Sequence, residues 1–181
     1  QTLAAVPDDE LMAAIGAGDA LEGGEAARLP EGQFLPETYQ FTRGTTDAQL
    51  LRRAHRALRE ALEAAWASRA PDLPLATPFQ ALVLASIVEK ETGVPEERDQ
   101  VAGVFVRRLK RGMRLQTDPT VIYGLGERFD GNLRKVDLRT DTPYNTYTRA
   151  GLPPTPIAMP SEAAIQAALN PASVRALYFV S

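Results

Sequence analysis

The sequence predicts an α+β domain, predominantly helical, with a long irregular segment lining a groove and a few short strands. Three observations predict it. Apolar residues recur at helical spacing through residues 47–69 and run almost unbroken through 81–88. Helix-start and helix-stop signals bracket those runs, Thr77-Pro78 before the second and Gly93 and Pro95 after it. Residues 113–160 then hold prolines and glycines too densely for regular structure beyond one short helix.

Taken in order, residues 8–22 read as a short helix capped by Asp8. Residues 23–46 read as loop with a strand or two around Phe34, Tyr39 and Phe41, and residues 1–46 as a whole form a loop-rich entry segment. Residues 47–69 form a long amphipathic helix whose inner stripe is Leu50, Ala54, Ala57, Leu58, Ala61 and Ala65, stopped by Pro71 and Pro74. A helix from Thr77 to about Thr92 follows, then one over 97–111 closed by Gly112. A short helix at 118–124 and an Ala-rich helix at 161–169 capped by Ser161 complete the set, with a strand at 177–180. There is no internal repeat, and 1–181 reads as one domain.

Composition narrows the chemistry. At 181 residues, 44% hydrophobic and 24% charged, the chain has enough material for one core and is not a disordered sequence. A net charge of -3 lacks the basic excess of a nucleic-acid binder, so no nucleic-acid partner is expected and a neutral polymer fits better. There is no cysteine, and His55 is the single histidine, which excludes disulfides, thiolate sites and multi-histidine metal sites. No metal and no cofactor is expected. No stretch approaches the apolar length of a membrane span. The chain stops at Ser181, directly after the strand-like run 177–180, so further sequence beyond it is expected and no cellular address is read from its ends.

The run from Ala81 to Val88 is apolar nearly all round, so its helix is buried, and it leads straight into Glu89-Lys90-Glu91. At about 100° per residue Glu89 shares a face with Leu82, Ala85 and Ser86, while Glu91 points almost oppositely, over Leu84, Ile87 and Val88. Small neighbours leave room for a ligand beside Glu89. A carboxyl at the rim of an apolar core is partly desolvated, and such a group can serve as a general acid at neutral pH. The alternative for a helix-end Glu-Lys-Glu is a solvated terminus or an ion pair.

Downstream, Gln116-Thr117-Asp118-Pro119 sets an amide, a hydroxyl and a carboxylate at a helix start, where Thr117 or Asp118 serves as cap and Gln116 is left for sugar hydroxyls. Tyr144-Asn145-Thr146-Tyr147 interleaves aromatic faces, which stack on sugar rings, with an amide; a turn with core tyrosines is the alternative. Arg107, Arg108, Lys110, Arg111 and Arg114 read as a solvated basic face.

Together these segments resemble the endolytic murein transglycosylases of the MltG, or YceG-like, type. The resemblance rests on Leu-Ala-Ser-Ile-Val-Glu-Lys-Glu-Thr at 84–92, the block at 112–126, Tyr144-Asn145-Thr146-Tyr147, Gly151-Leu152-Pro153-Pro154, and Glu31-Gly32 with Pro36-Glu37-Thr38-Tyr39 upstream. It implies a lyase that cuts the β-1,4 bond between N-acetylmuramic acid and N-acetylglucosamine within nascent peptidoglycan strands. The products carry 1,6-anhydro-muramyl ends, and cutting terminates strand elongation. It implies Glu89 as the catalytic acid/base, and by analogy Gln116, Thr117, Asp118, Tyr144, Asn145 and Tyr147 as substrate-binding residues. Family members carry an N-terminal membrane helix, a small LysM-like domain and a C-terminal tail, none of them in these residues. The resemblance therefore implies an inner-membrane, single-pass protein with this domain on the periplasmic or outer side. It also implies glycan strands as substrate and peptidoglycan synthases as partners.

Three rivals stay open. One is a glycan-binding or scaffolding module without turnover. Another is a hydrolytic muramidase with Asp118 as a second carboxylate about 5–9.5 Å from Glu89. The last is a pyridoxal-phosphate lyase, for which only Lys90, Lys110 and Lys135 could form the Schiff base.

Overall fold

The computed structural model describes residues 7–14 and 29–178, and these form seven α-helices joined by long irregular connections. They are α1 (Asp8–Ala14), α2 (Asp47–Ala67), α3 (Pro78–Glu91), α4 (Arg98–Lys110), α5 (Asp118–Leu125), α6 (Lys135–Arg139) and α7 (Glu162–Leu169).

The central element is α3. Every residue from Phe79 to Val88 except Gln80 is buried, because α3 packs against α2, α4, α5 and α7 on its several sides. A helix apolar all round needs partners all round, and here it has them. Thr77 caps it as expected, its hydroxyl accepting from the Gln80 N–H at 3.3 Å, with Pro78 in the first turn. The one buried polar side chain in the run is satisfied twice: Ser86 Oγ donates to the Val83 carbonyl at 2.7 Å and accepts from the Ile157 N–H at 3.0 Å.

Helix α2 starts with a full capping box between Thr46 and Gln49. Its buried stripe is Ala54, Leu58, Leu62 and Ala65. Leu62 belongs in it, while Leu50, Ala57 and Ala61 are only half-buried. In α4, Gly103 lies so close to the segment after α7 that a Cβ there would come within 2.4 Å of the Ala172 carbonyl oxygen.

The expected short strands are not found among the described residues. Residues 29–46 are irregular: Phe34 and Leu35 are buried, and the Leu35 N–H bonds to the Ala54 carbonyl of α2 at 3.2 Å, not to another strand. Pro30, Pro36 and a left-handed Gly32 (φ 75°) break up any ladder. Leu177 and Tyr178 are not in a strand; the remainder of the 177–180 run, and residues 15–22 of the first expected helix, lie outside the described residues. The basic face also needs correction. Arg108 is buried, donating to the Leu177 carbonyl at 2.7 Å and to the Leu115 carbonyl, with its guanidinium over the Tyr178 ring. Among the described residues no helix is long and apolar enough to cross a membrane.

Candidate functional site

The two glutamates at the end of α3 point to different partners. Glu89 faces the start of α7. One of its oxygens accepts from the Ser161 N–H at 2.9 Å and from the Ser161 hydroxyl, and the other lies 3.6 Å from an Arg98 guanidinium nitrogen. Ser161 is itself the cap of α7, accepting from the Ala164 N–H. Glu89 thus closes the N-terminus of the neighbouring helix, where unpaired N–H groups and the helix dipole favour a carboxylate. The small face around Glu89 is filled by α7 and the 157–161 segment, and the ion-pair alternative describes its surroundings.

Glu91 faces the start of α5. The Thr117 hydroxyl donates to its carboxylate, so Thr117 occupies the cap position of α5 without capping it through its side chain. Burial pushes the Glu91 carboxyl above its ordinary range; the Thr117 hydrogen bond opposes that shift, Asp118 adds to it, and Arg108 opposes it. Beside it the Tyr147 hydroxyl donates to Asp118 Oδ1 at 2.6 Å, and the Tyr147 pKa is raised by burial and by the Asp118 hydrogen bond and charge.

The backbone here is tightly determined. Gln116 adopts φ 50°, a left-handed conformation costly for a side chain with a Cβ, and its side chain is exposed. The Gln116 N–H donates to the Thr146 carbonyl at 3.1 Å and the Thr117 N–H to the Thr146 hydroxyl at 3.1 Å. Thr120 and Thr146 hydroxyls meet at 2.8 Å beneath them. This buried threonine set locks the 116–118 segment to the 144–147 turn.

The expected site residues therefore divide. Thr117, Asp118 and Tyr147 gather around Glu91, not around Glu89, and Gln116 is exposed just before them. Thr117 is buried, so it can act on a ligand only through Glu91. Asn145 does not line open surface. It is fully buried, its amide nitrogen donates to the carbonyls of Asp137, Leu138 and Thr140 at 3.1, 3.2 and 2.7 Å, and its oxygen accepts from the Tyr147 N–H at 2.8 Å. It satisfies the exposed carbonyl end of α6 and fixes the turn. Tyr144 turns the other way, its ring 4.8 Å from that of Tyr123 and its hydroxyl 2.8 Å from Thr155 Oγ1.

Sequence reasoning passed over Glu91, Tyr123 and Glu31 as site residues. Tyr123 donates to Glu31 at 3.4 Å. No local signal marks Glu91, because the Thr117 hydroxyl that serves its carboxylate stands 26 residues away in the chain. His55 is half-buried in the core margin, with Nδ1 2.9 Å from the Gln33 carbonyl, and burial lowers its pKa. Lys90, Lys110 and Lys135 are all exposed, which does not fit a desolvated Schiff-base lysine. Among the described residues no cluster of His, Asp or Glu could hold a metal ion.

The sequence model of the YceG-like family matches residues 4–181. A Bacillus subtilis (strain 168) protein named endolytic murein transglycosylase is 46% identical over 100 residues, which are 55% of this chain and 28% of that protein. A Streptococcus pneumoniae serotype 2 protein of the same name is 34% identical over 166 residues, covering 88% of this chain and 29% of its own length. The chain thus spans under a third of the length of these curated relatives. The crystal structure of a yceG-like protein from Listeria monocytogenes superposes with a TM-score of 0.72 at 31% identity, covering 96% of this chain and 57% of that one. On the family match, the sequence relatives and the shared fold, this chain belongs to the YceG-like family.

Proposed function

We propose that this domain is the catalytic part of an endolytic peptidoglycan lytic transglycosylase, and that Glu91 is its acid/base. The observation that carries the residue assignment is the environment of Glu91: a half-buried carboxyl with raised proton affinity, oriented by Thr117 and flanked by Asp118 and Tyr147. A general acid must hold its proton near working pH, and desolvation beside a second carboxylate supplies that property. The relatives' name supports the reaction class.

The steps balance on one carboxyl. Glu91 gives its proton to the oxygen of the N-acetylglucosamine leaving group as the bond to muramyl C1 breaks. The resulting carboxylate takes the proton of the muramyl C6 hydroxyl as that oxygen bonds to C1, which closes the 1,6-anhydro ring and restores the acid. The nucleophile belongs to the substrate, so its proximity replaces a second catalytic carboxylate. Asp118, held by the Tyr147 hydroxyl, serves to raise the proton affinity of Glu91, and exposed Gln116 is a sugar-hydroxyl partner.

The signature block also supports a second reading, with Glu89 as the acid. Against it stands the engagement of Glu89 by Ser161 and Arg98. Digesting peptidoglycan with Glu89→Gln and Glu91→Gln variants separates the two, and mass spectrometry of the ends separates a lyase from a hydrolase and from a non-catalytic binding module. We further propose that cutting terminates nascent strands at the outer face of the bacterial inner membrane, beside peptidoglycan synthases. A single-pass anchor outside these residues would hold the domain there. Fractionating cells and locating this domain by protease access tests that placement; a cytoplasmic domain would contradict it.

A further inference from the structure

The turn fixed by Asn145 sends its two tyrosines different ways: Tyr147 to the Asp118 carboxylate, and Tyr144 to Thr155 and the ring of Tyr123, whose own hydroxyl meets Glu31. Asp118 and Tyr123 are separated along α5 by about 7–8 Å at the usual helical rise.

The second set is constructed with care. Gly32, next to Glu31, has φ 75°, and a Cβ there would lie 2.4 Å from Pro156 Cβ, so both torsion and space require glycine. This fixes Glu31 against the 153–158 loop. On α5, a Cβ on Gly124 would come 3.1 Å from both Thr142 Oγ1 and Tyr144 Cβ, a close approach that sets Tyr144 against Tyr123. Glu31 is half-buried, yet among the described residues no cation lies in salt-bridge range, and its hydrogen bond from Tyr123 is long at 3.4 Å. Burial raises the Tyr123 pKa to about 12, so its hydroxyl stays a donor. Carboxylate oxygens short of donors, beside two partly exposed tyrosine rings, suit a ligand with hydroxyl or amide donors and an apolar ring face.

We propose that Glu31, Tyr123 and Tyr144 form a second glycan subsite that takes one uncharged N-acetylhexosamine unit of the strand whose scissile bond lies at Glu91. This rests on the transglycosylase reading. It makes Glu31 a binding carboxylate that determines how much strand must be engaged, and gives it no part in bond breaking.

The test uses Glu31→Gln and Tyr123→Phe, with peptide-free murein glycan oligomers as probe. Binding is measured in a Glu91→Gln background and turnover in the otherwise native protein. Glu31→Gln still accepts from Tyr123, so its melting temperature is expected to match the parent. The affinity for the oligomer is expected to fall about tenfold, the effect of one hydrogen bond to a charged group, with kcat at saturating glycan within about twofold. Unchanged affinity in both variants would overturn the subsite, as would an affinity loss that follows a lowered melting temperature. Failure of the broader reading looks different: the parent protein would bind no glycan, or yield no anhydro ends, whatever stands at position 31.

Discussion

Thr117, the residue before α5, donates its hydroxyl hydrogen bond to the carboxylate of Glu91 at the end of α3 and leaves its own helix without a side-chain cap. A cap is worth about 1 kcal/mol, so the sequence gives up local stability to orient a carboxyl. Thr117→Val should remove a hydrogen bond that favours ionised Glu91, raising its pKa further. The basic limb of the activity profile should then move to higher pH, while Thr117→Ser keeps the parent profile. A pH series of initial rates on purified peptidoglycan checks both.

Asp118 acts with the opposite sign. Its charge raises the Glu91 pKa, so Asp118→Asn should lower it and bring the basic limb to lower pH. Tyr147→Phe frees Asp118 from its hydroxyl partner and leaves that charge in place, so its profile should keep its position or move slightly upward. A common downward shift in both variants would remove Asp118 from this role.

Glu91 should also cost stability when ionised. A carboxyl whose folded pKa lies above its unfolded value binds its proton more tightly when folded. Its favourable contribution is full below the unfolded pKa and is lost as pH rises through the folded one. Glu91→Gln keeps the acceptor for Thr117 without the charge. It should melt above the parent at neutral pH, and the gap should close as pH falls below the ordinary carboxylate range. Thermal unfolding at several pH values measures this; a gap that widens on acidification contradicts it.

Asn145 should behave as a structural residue. Asn145→Ala leaves the carbonyls of Asp137, Leu138 and Thr140 without their donor and the Tyr147 N–H without its acceptor. The expected loss is about 3 kcal/mol. Because the turn also positions Tyr144 and Tyr147, activity should fall with the melting temperature. Full stability with lost glycan binding would instead make Asn145 a ligand group.

Much of the fold was legible because its causes are local. Thr77 and Ser161 cap their helices as their positions before the apolar runs predict, and the apolar run of α3 is buried as its composition requires. The choice between Glu89 and Glu91 was not legible. Helix phase set them on opposite faces, but what each carboxylate meets depends on Ser161, 72 residues from Glu89, and on Thr117, 26 residues from Glu91. Thr117 looks like any threonine before a helical proline, so its diversion to Glu91 cannot be read from spacing. Asn145 carries the same lesson. An amide between tyrosines suggests a sugar contact until the carbonyl end of α6 is seen to fill it. The strand-like runs had suitable residues but no partner strand, and Leu35 paired with a helix carbonyl instead.

In the reaction proposed above, a single carboxyl, Glu91, performs both proton transfers. The most direct test digests purified peptidoglycan with the native protein, Glu89→Gln and Glu91→Gln, and counts 1,6-anhydro-muramyl ends by mass spectrometry. With general acid-base catalysis contributing about 10²–10⁴-fold, Glu91→Gln should lose at least a hundredfold in rate at an unchanged fold. Glu89→Gln should retain turnover in proportion to the stability it keeps. Anhydro ends released at the native rate by Glu91→Gln, or abolished only in a fully folded Glu89→Gln, would contradict the account.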